Sequence, residues 1–285
     1  MRVLRIFVIM LAMIVAISGV SLYLISRGDD DVPVIVCSEE DMIVVSTNCT
    51  DGELLTYVTA TDEQDGDLSN KIIVTRKMFF IAPKTTLVTF SVSDSDNNVT
   101  SIEKKVYFED YVSPRLILTN DFIFPSGNHY NLNPYVTATD VFDGDIGSKI
   151  KIIATGYSTS EGTFKATIKV SNSMADSTEI TIDAIVTDDN YGLYRVRLND
   201  YIHYTTVGSE PFDYVANLKS VINKDTNKTF YSVDDVVVDS SEVDMSKPGC
   251  YNVYYRILSD ELDFNDQPKV ISMSRLVVVV EEGKQ

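Results

Sequence analysis

Two stretches of this chain are nearly the same sentence written twice: TATDEQDGDLSNKI from Thr59 and TATDVFDGDIGSKI from Thr137. Counted from Tyr57 to Ile72 against Tyr135 to Ile150, eleven of sixteen positions are identical at a constant offset of seventy-eight. Alternating polar and apolar composition does not generate a match of that kind, so the two segments are copies. A chain that repeats one unit of this length must fold each copy into the same structure, and the copy must be small enough to close on itself in about eighty residues.

The rest of each copy lines up around that motif. Pro33 opens the first with PVIVC and Pro114 opens the second with PRLIL; YVTATD, DGD, a KI strand from Lys71 or Lys149, an alternating strand and a Val-, Ile- and Thr-rich ending follow in both. In TFKATIKVS, Phe164, Ala166, Ile168 and Val170 fall on one side of a period-two pattern, with Thr163, Lys165, Thr167 and Lys169 on the other. VTFSVSD places Val88, Phe90 and Val92 together, and CYNVYYRI places Tyr251, Val253, Tyr255 and Ile257 together. A fainter third copy begins with YRVRL at Tyr194, lacks the DGD triplet and closes on SRLVVVVEE, a strand apolar enough to be covered on both faces. Short half-buried strands separated by Asp, Asn, Gly, Ser and Pro clusters predict an all-β chain of three tandem immunoglobulin-like β-sandwiches over residues 32–110, 111–188 and 189–285.

Residues 1–27 stand apart. From Ile6 to Ile25 no residue is charged, and about twenty residues at 1.5 Å each match a hydrocarbon core of about 30 Å. Arg2 and Arg5 precede the run and RGDDD follows it, which predicts a single-pass N-terminal transmembrane helix as the chain's contact with the membrane, a cytoplasmic tail and an extracellular C-terminal region. Ala16 and Ser18 before Gly19 keep a cleaved signal peptide as the alternative. The whole chain carries a net charge of −18. Residues 1–27 hold three arginines and no acid, leaving 21 basic against 42 acidic side chains beyond them. Such a surface repels phosphate backbones, so nucleic acid is excluded as a partner.

Three cysteines are present. Cys37 and Cys49 are spaced to form a disulfide worth about 3 kcal/mol in the chain-entropy model, the alternative being two separate thiols. Cys250 is then unpaired, on the outward side of its strand at the position of Thr163 in the second copy; a neighbour that covers it is the favoured reading, and a disulfide-bonded homodimer through it is the alternative.

The acidic turns admit two readings. Asp62, Asp65 and Asp67, with Asp140, Asp143 and Asp145, group carboxylates as calcium requires; yet the loops lack the spacing and the terminal bidentate Glu of an EF-hand. The other reading is structural: Asp65 and Asp143 bond their own turn backbone, and Gly66 and Gly144 take up a positive φ. The second is favoured, with calcium the only cofactor under consideration. Catalysis finds no footing. His129 and His203 are the only histidines, and there is no Gly-rich phosphate loop, no Cys-x-x-Cys and no His-x-x-x-His. Tyr201, His203 and Tyr204, or the tyrosines from Tyr251 to Tyr255, offer an aromatic platform for carbohydrate or protein, although strand tyrosines commonly pack and keep the hydroxyl wet.

The segments YVTATDEQDGDLSNKI, YVTATDVFDGDIGSKI and VDMSKPGCYNVYY resemble the bacterial immunoglobulin-like domains of the DUF5011 type, also known from pesticidal crystal proteins, over nearly all of residues 32–281. Two departures stand out: Ser158 to Gly162 replaces the Pro-Gly turn in the second copy, and the third copy has no acidic loop. What the resemblance implies is a tandem extracellular module without chemistry of its own. The expectation is therefore a membrane-anchored, non-catalytic spacer or display scaffold at the bacterial cell surface, the alternative being calcium-assisted adhesion or a surface that binds a cell-surface protein or carbohydrate.

Overall fold

The computed structural model describes residues 8–18, 31–128, 130–156, 160, 162–187, 194–224, 230–263 and 265–282. Residues 8–18 form a helix, α1, that spans roughly 16 Å at 1.5 Å per residue. Among the described residues no helix is long and apolar enough to cross a membrane. That overturns the expected single-pass membrane localisation: the described helix covers about half of a hydrocarbon core, and the remainder of the apolar run, like most of the replaced Pro-Gly turn from Ser158, lies outside the described residues. The chain divides into two compact units that meet in sequence between Tyr111 and Val112.

In the first unit, β1 (Val34–Cys37) pairs antiparallel with β3 (Val58–Asp62), after the intervening β2 (Met42–Val45) and the short helix α2 (Asp51–Leu55). Helix α2 exists because Thr50-Asp51-Gly52-Glu53 is a capping box: the Thr50 hydroxyl accepts from the Glu53 amide at 3.3 Å, and the Glu53 carboxylate accepts from the Thr50 amide at 2.7 Å. Next come β4 (Gly66–Asp67), β5 (Ile73–Lys77), β6 (Thr85–Ser93) and β7 (Val99–Phe108). One sheet has the order β1-β3-β4 and the other β2-β7-β6-β5, with β2 parallel to β7. Ile35, Val58 and Ala60 from the first sheet and Ile43, Val88, Phe90, Val92 and Val106 from the second are buried, which is the sandwich the alternation predicts.

The second unit begins with the same plan. Strands β8 (Arg115–Leu118), β9 (Ile123–Pro125), β10 (Val136–Asp140), β11 (Gly144–Asp145), β12 (Lys151–Thr155), β13 (Gly162–Ser171) and β14 (Ser177–Thr187) form sheets ordered β11-β10-β8 and β12-β13-β14-β9, with β9 parallel to β14. It continues through β15 (Tyr194–Leu198), β16 (Ile202–Thr206), β17 (Leu218–Asn223), β18 (Val236–Asp239), β19 (Gly249–Leu262) and β20 (Pro268–Glu281). These make a two-stranded sheet, β15-β17, and a four-stranded one, β16-β20-β19-β18. The third segment thus keeps the plan and drops the short strand that DGD supplies to β3 and β10.

Strand β20 explains its own composition. From Ser274 to Val280 every residue is buried. Leu276, Val278 and Val280 face a core shared with Tyr194, Val196, Leu198, Val253, Tyr255 and Ile257. Val277 and Val279, with Ile202 of β16, belong instead to the core built by β8 to β14. Consecutive side chains of one strand therefore feed two cores. Burial of each of these three apolar side chains contributes about 1.5–3 kcal/mol, so the third segment is fused to the second.

Candidate functional site: the duplicated acidic turns

The two turns use their carboxylates in the same way, and mostly inward. Asp62 Oδ1 accepts from the amides of Gln64 and Asp65 at 3.0 and 2.9 Å; Asp140 Oδ1 accepts from those of Phe142 and Asp143 at 2.9 and 3.1 Å. At the other end Asp67 accepts from the Ser69 amide at 2.9 Å, and Asp145 from the Gly147 amide at 2.8 Å, starting one turn of 3-10 helix that ends at Lys71 or Lys149. The strands expected from those lysines consequently begin later, at Ile73 and Lys151. Between the two carboxylates the chain reverses at Gly66, φ +75°, and Gly144, φ +68°, a left-handed conformation that side chains resist.

Asp65 and Asp143 do something the sequence reading did not assign. Rather than bonding their own turn, they reach the hairpin tip on the opposite sheet. Asp65 accepts from the Ser95 amide at 2.6 Å and its hydroxyl at 2.9 Å; Asp143 accepts from the Ser173 amide at 2.8 Å and hydroxyl at 2.6 Å. Lys149 adds an ion pair to Asp143 at 2.7 Å. The Ser95 bonds hold the Asp65 carboxyl below the usual carboxylate range, and Lys149 with Ser173 does the same for Asp143. The signal for these partners was present, because VSDS ending at Ser95 and VSNS ending at Ser173 keep the offset of seventy-eight.

One position breaks the symmetry. Asp140 Oδ2 accepts from Asn172 Nδ2 at 2.9 Å. The equivalent of Asn172 in the first copy is Asp94, which cannot donate, and Asp62 Oδ2 is buried without a hydrogen-bond partner. Asp94 instead accepts from the Asn98 amide and side chain, each at 2.8 Å. Calcium takes six to eight oxygens. Here the carboxylate oxygens are largely taken up by N–H and O–H donors, and among the described residues no three His, Cys, Asp or Glu side chains are placed to hold a metal ion.

The other candidates are distributed. Cys37 and Cys49 are free, half-buried thiols rather than the expected bridge; Cys49 lies against the capping box, its Sγ 3.5 Å from the Thr50 carbonyl, and burial beside Glu53 pushes the thiol up. Cys250 is exposed on β19 and also free; desolvation raises its thiol, against a backbone hydrogen bond at Thr181 that lowers it. The aromatic platform is largely engaged internally. Tyr204 Oη accepts from the Leu116 amide at 3.1 Å and donates to the Leu116 carbonyl at 3.3 Å, and burial pushes its hydroxyl up to about 12. Arg115 lies 4.2 Å from the centre of that ring and forks onto Glu281 at 2.5 and 2.8 Å. His203 stacks on Phe212 at 4.0 Å between centroids, and burial lowers its pKa. Tyr255 donates to the Tyr214 carbonyl and Tyr251 to that of Lys247. His129 lies outside the described residues.

No family model matches the chain. It is similar to the pesticidal crystal protein Cry22Aa of Bacillus thuringiensis, 28% identical over 191 residues, covering 63% of this chain and 24% of that protein. The chain therefore spans about a quarter of the length of the curated relative it matches. The pesticidal crystal side of the motif resemblance thus has a counterpart, while the DUF5011 side rests on the motifs alone. Among solved structures, the Drosophila N-cadherin EC1-4 structure aligns over 89% of this chain and 76% of its own at 11% identity and a TM-score of 0.23. A structure of the M60 catalytic domain with two CBM51 domains of Clostridium perfringens ZmpB aligns over 88% of this chain and 31% of its own, at 12% identity and a TM-score of 0.21. Likeness at that level carries no functional weight.

Proposed function

We propose that this chain is a non-catalytic, immunoglobulin-like spacer that holds a binding surface in place. The observation that carries the reading is the two-faced strand β20, which shares apolar side chains between the cores of the second and third segments and so limits their independent motion. The side chains that could do chemistry support it: the acidic turns, Tyr204, Tyr255 and Arg115 all serve bonds within the fold. Calcium-assisted adhesion, or binding of a carbohydrate or protein, is the alternative, and it has less support because the oxygens and rings it needs are already engaged.

The test is a ligand and substrate panel on the full chain. Soluble glycans, including N-acetylglucosamine oligomers, and peptides are expected to leave the melting midpoint where it is, and chromogenic ester, glycoside and peptide substrates to show no turnover above background. A concentration-dependent rise in midpoint with one ligand class would replace the spacer with a binding module, since a ligand of the native state alone must stabilise it.

A further inference from the structure

The face between the second and third segments has two unlike ends. At one end Val277, Val279 and Ile202 pack into the second segment's core, Tyr204 makes two hydrogen bonds to Leu116, and Arg115 forks onto Glu281. Every polar group named there has a partner.

At the other end, on the same side of β20, sits Arg275. It is 1% exposed and donates through Nη2 to the Asp183 carbonyl, while its Nε and Nη1 have no hydrogen-bond partner. Asp121, 6% exposed, accepts from Ser274 at 3.0 Å rather than from the guanidinium. Burial shifts both groups against their charged forms, raising Asp121 and lowering Arg275, so desolvation outweighs the attraction between them. Water supplies the missing partners as soon as this end separates, whereas separation at the Tyr204 end breaks satisfied bonds and exposes apolar surface. The opening costs of the two ends are therefore unequal.

We propose that the third segment is hinged on the second: the joint opens at the Arg275–Asp121 end while the Tyr204–Leu116 end stays closed. The device is a buried cation kept where an apolar residue would hold the face shut.

The full chain reports both ends without mutation. Exchange of the Arg275 Nε–H with solvent, read by NMR, follows the polar end; exchange of the Leu116 amide, held by Tyr204 across the face, follows the apolar end. Corrected for intrinsic rates, the opening constant at Arg275 is expected to exceed that at Leu116 by roughly tenfold or more, since buried charges are commonly over-compensated by apolar replacements on that scale. Equal constants would mean that the face parts as a whole, and would overturn the hinge. Arg275→Met provides the second reading: protection at Leu116 should stay the same or rise, with melting unimpaired. A large loss of protection there would show that Arg275 holds the face closed and would contradict the proposal.

Discussion

The first and second acidic turns are the same object with one atom changed in kind. Both use an Asp to close the turn, a glycine to reverse the chain, a second Asp to start a 3-10 turn and a third to staple the turn to a serine on the facing hairpin. They differ where Asn172 donates to Asp140 and Asp94 offers Asp62 nothing. The motif visible as a repeat is the part that builds the turn, and the partner loop supplies the rest. Its recurrence is explained by the recurrence of the fold, and the second copy is the better satisfied of the two.

The largest expected effect comes from making the second turn resemble the first. Asn172→Asp places a carboxylate against the buried Asp140 and should destabilise the second unit by about 3 kcal/mol, read as a lower urea midpoint at unchanged slope. An unchanged midpoint would mean that the Asp140–Asn172 bond is not the difference that matters. Next in size are Gly66→Ala and Gly144→Ala. Nothing lies within 4 Å of an added Cβ at either position, so only the positive φ resists, at about 1–2 kcal/mol. The two costs should be equal; a clear inequality would mean that the turns are not equivalent in backbone.

The first turn can be given what it lacks. Asp94→Asn with Asn98→Asp installs the pair found at Asn172 and Asp176, and should add about 1 kcal/mol by supplying a donor to Asp62 Oδ2. Loss of stability would argue that Asp62 and Asp94 are kept apart for another reason.

The smallest effect is on pH. Asp65 and Asp143 are held below the usual carboxylate range, and Asp239, bonded to Ser241 and Arg256, is lowered to about 2. Folded values below unfolded ones give stability that is present above about pH 4 and lost as pH falls towards about 2. Asp121, in the second unit, is shifted the other way by burial, so its contribution is complete at low pH and fades as pH rises through its folded value. Hydrogen exchange across pH 3–7 should therefore show the first unit gaining protection up to about pH 4 and levelling beyond it, and the second unit gaining less.

Much of the architecture was legible because a period-two strand declares its buried face: Phe164, Ala166, Ile168 and Val170 are buried, as are Val88, Phe90 and Val92. The two-sided burial of β20 was also readable, from an unbroken apolar run with no alternation. What that strand packs against was not readable, because periodicity reports how many faces are covered and is silent on by what. Helix α2 was missed although Thr50 and Glu53 spell a capping box, since a five-residue helix is too short to show a period. Local sequence alone places Asp65 and Asp143 on their own turns, whereas Ser95 and Ser173 are thirty residues away and emerge only when the repeat alignment is extended. The engagement of Tyr204 was hidden for a similar reason: its partner Leu116 lies eighty-eight residues earlier.

The most direct test of the structural role of these turns is the melting of the full chain and of its Ser95→Ala and Ser173→Ala variants, each with calcium and with chelator. If the aspartates are staples, both variants melt lower than the parent and calcium shifts none of the three midpoints. If instead calcium raises the parent's midpoint, chelator lowers it, and the serine variants melt like the parent, the carboxylates belong to a cation and the account given for the duplicated turn is wrong.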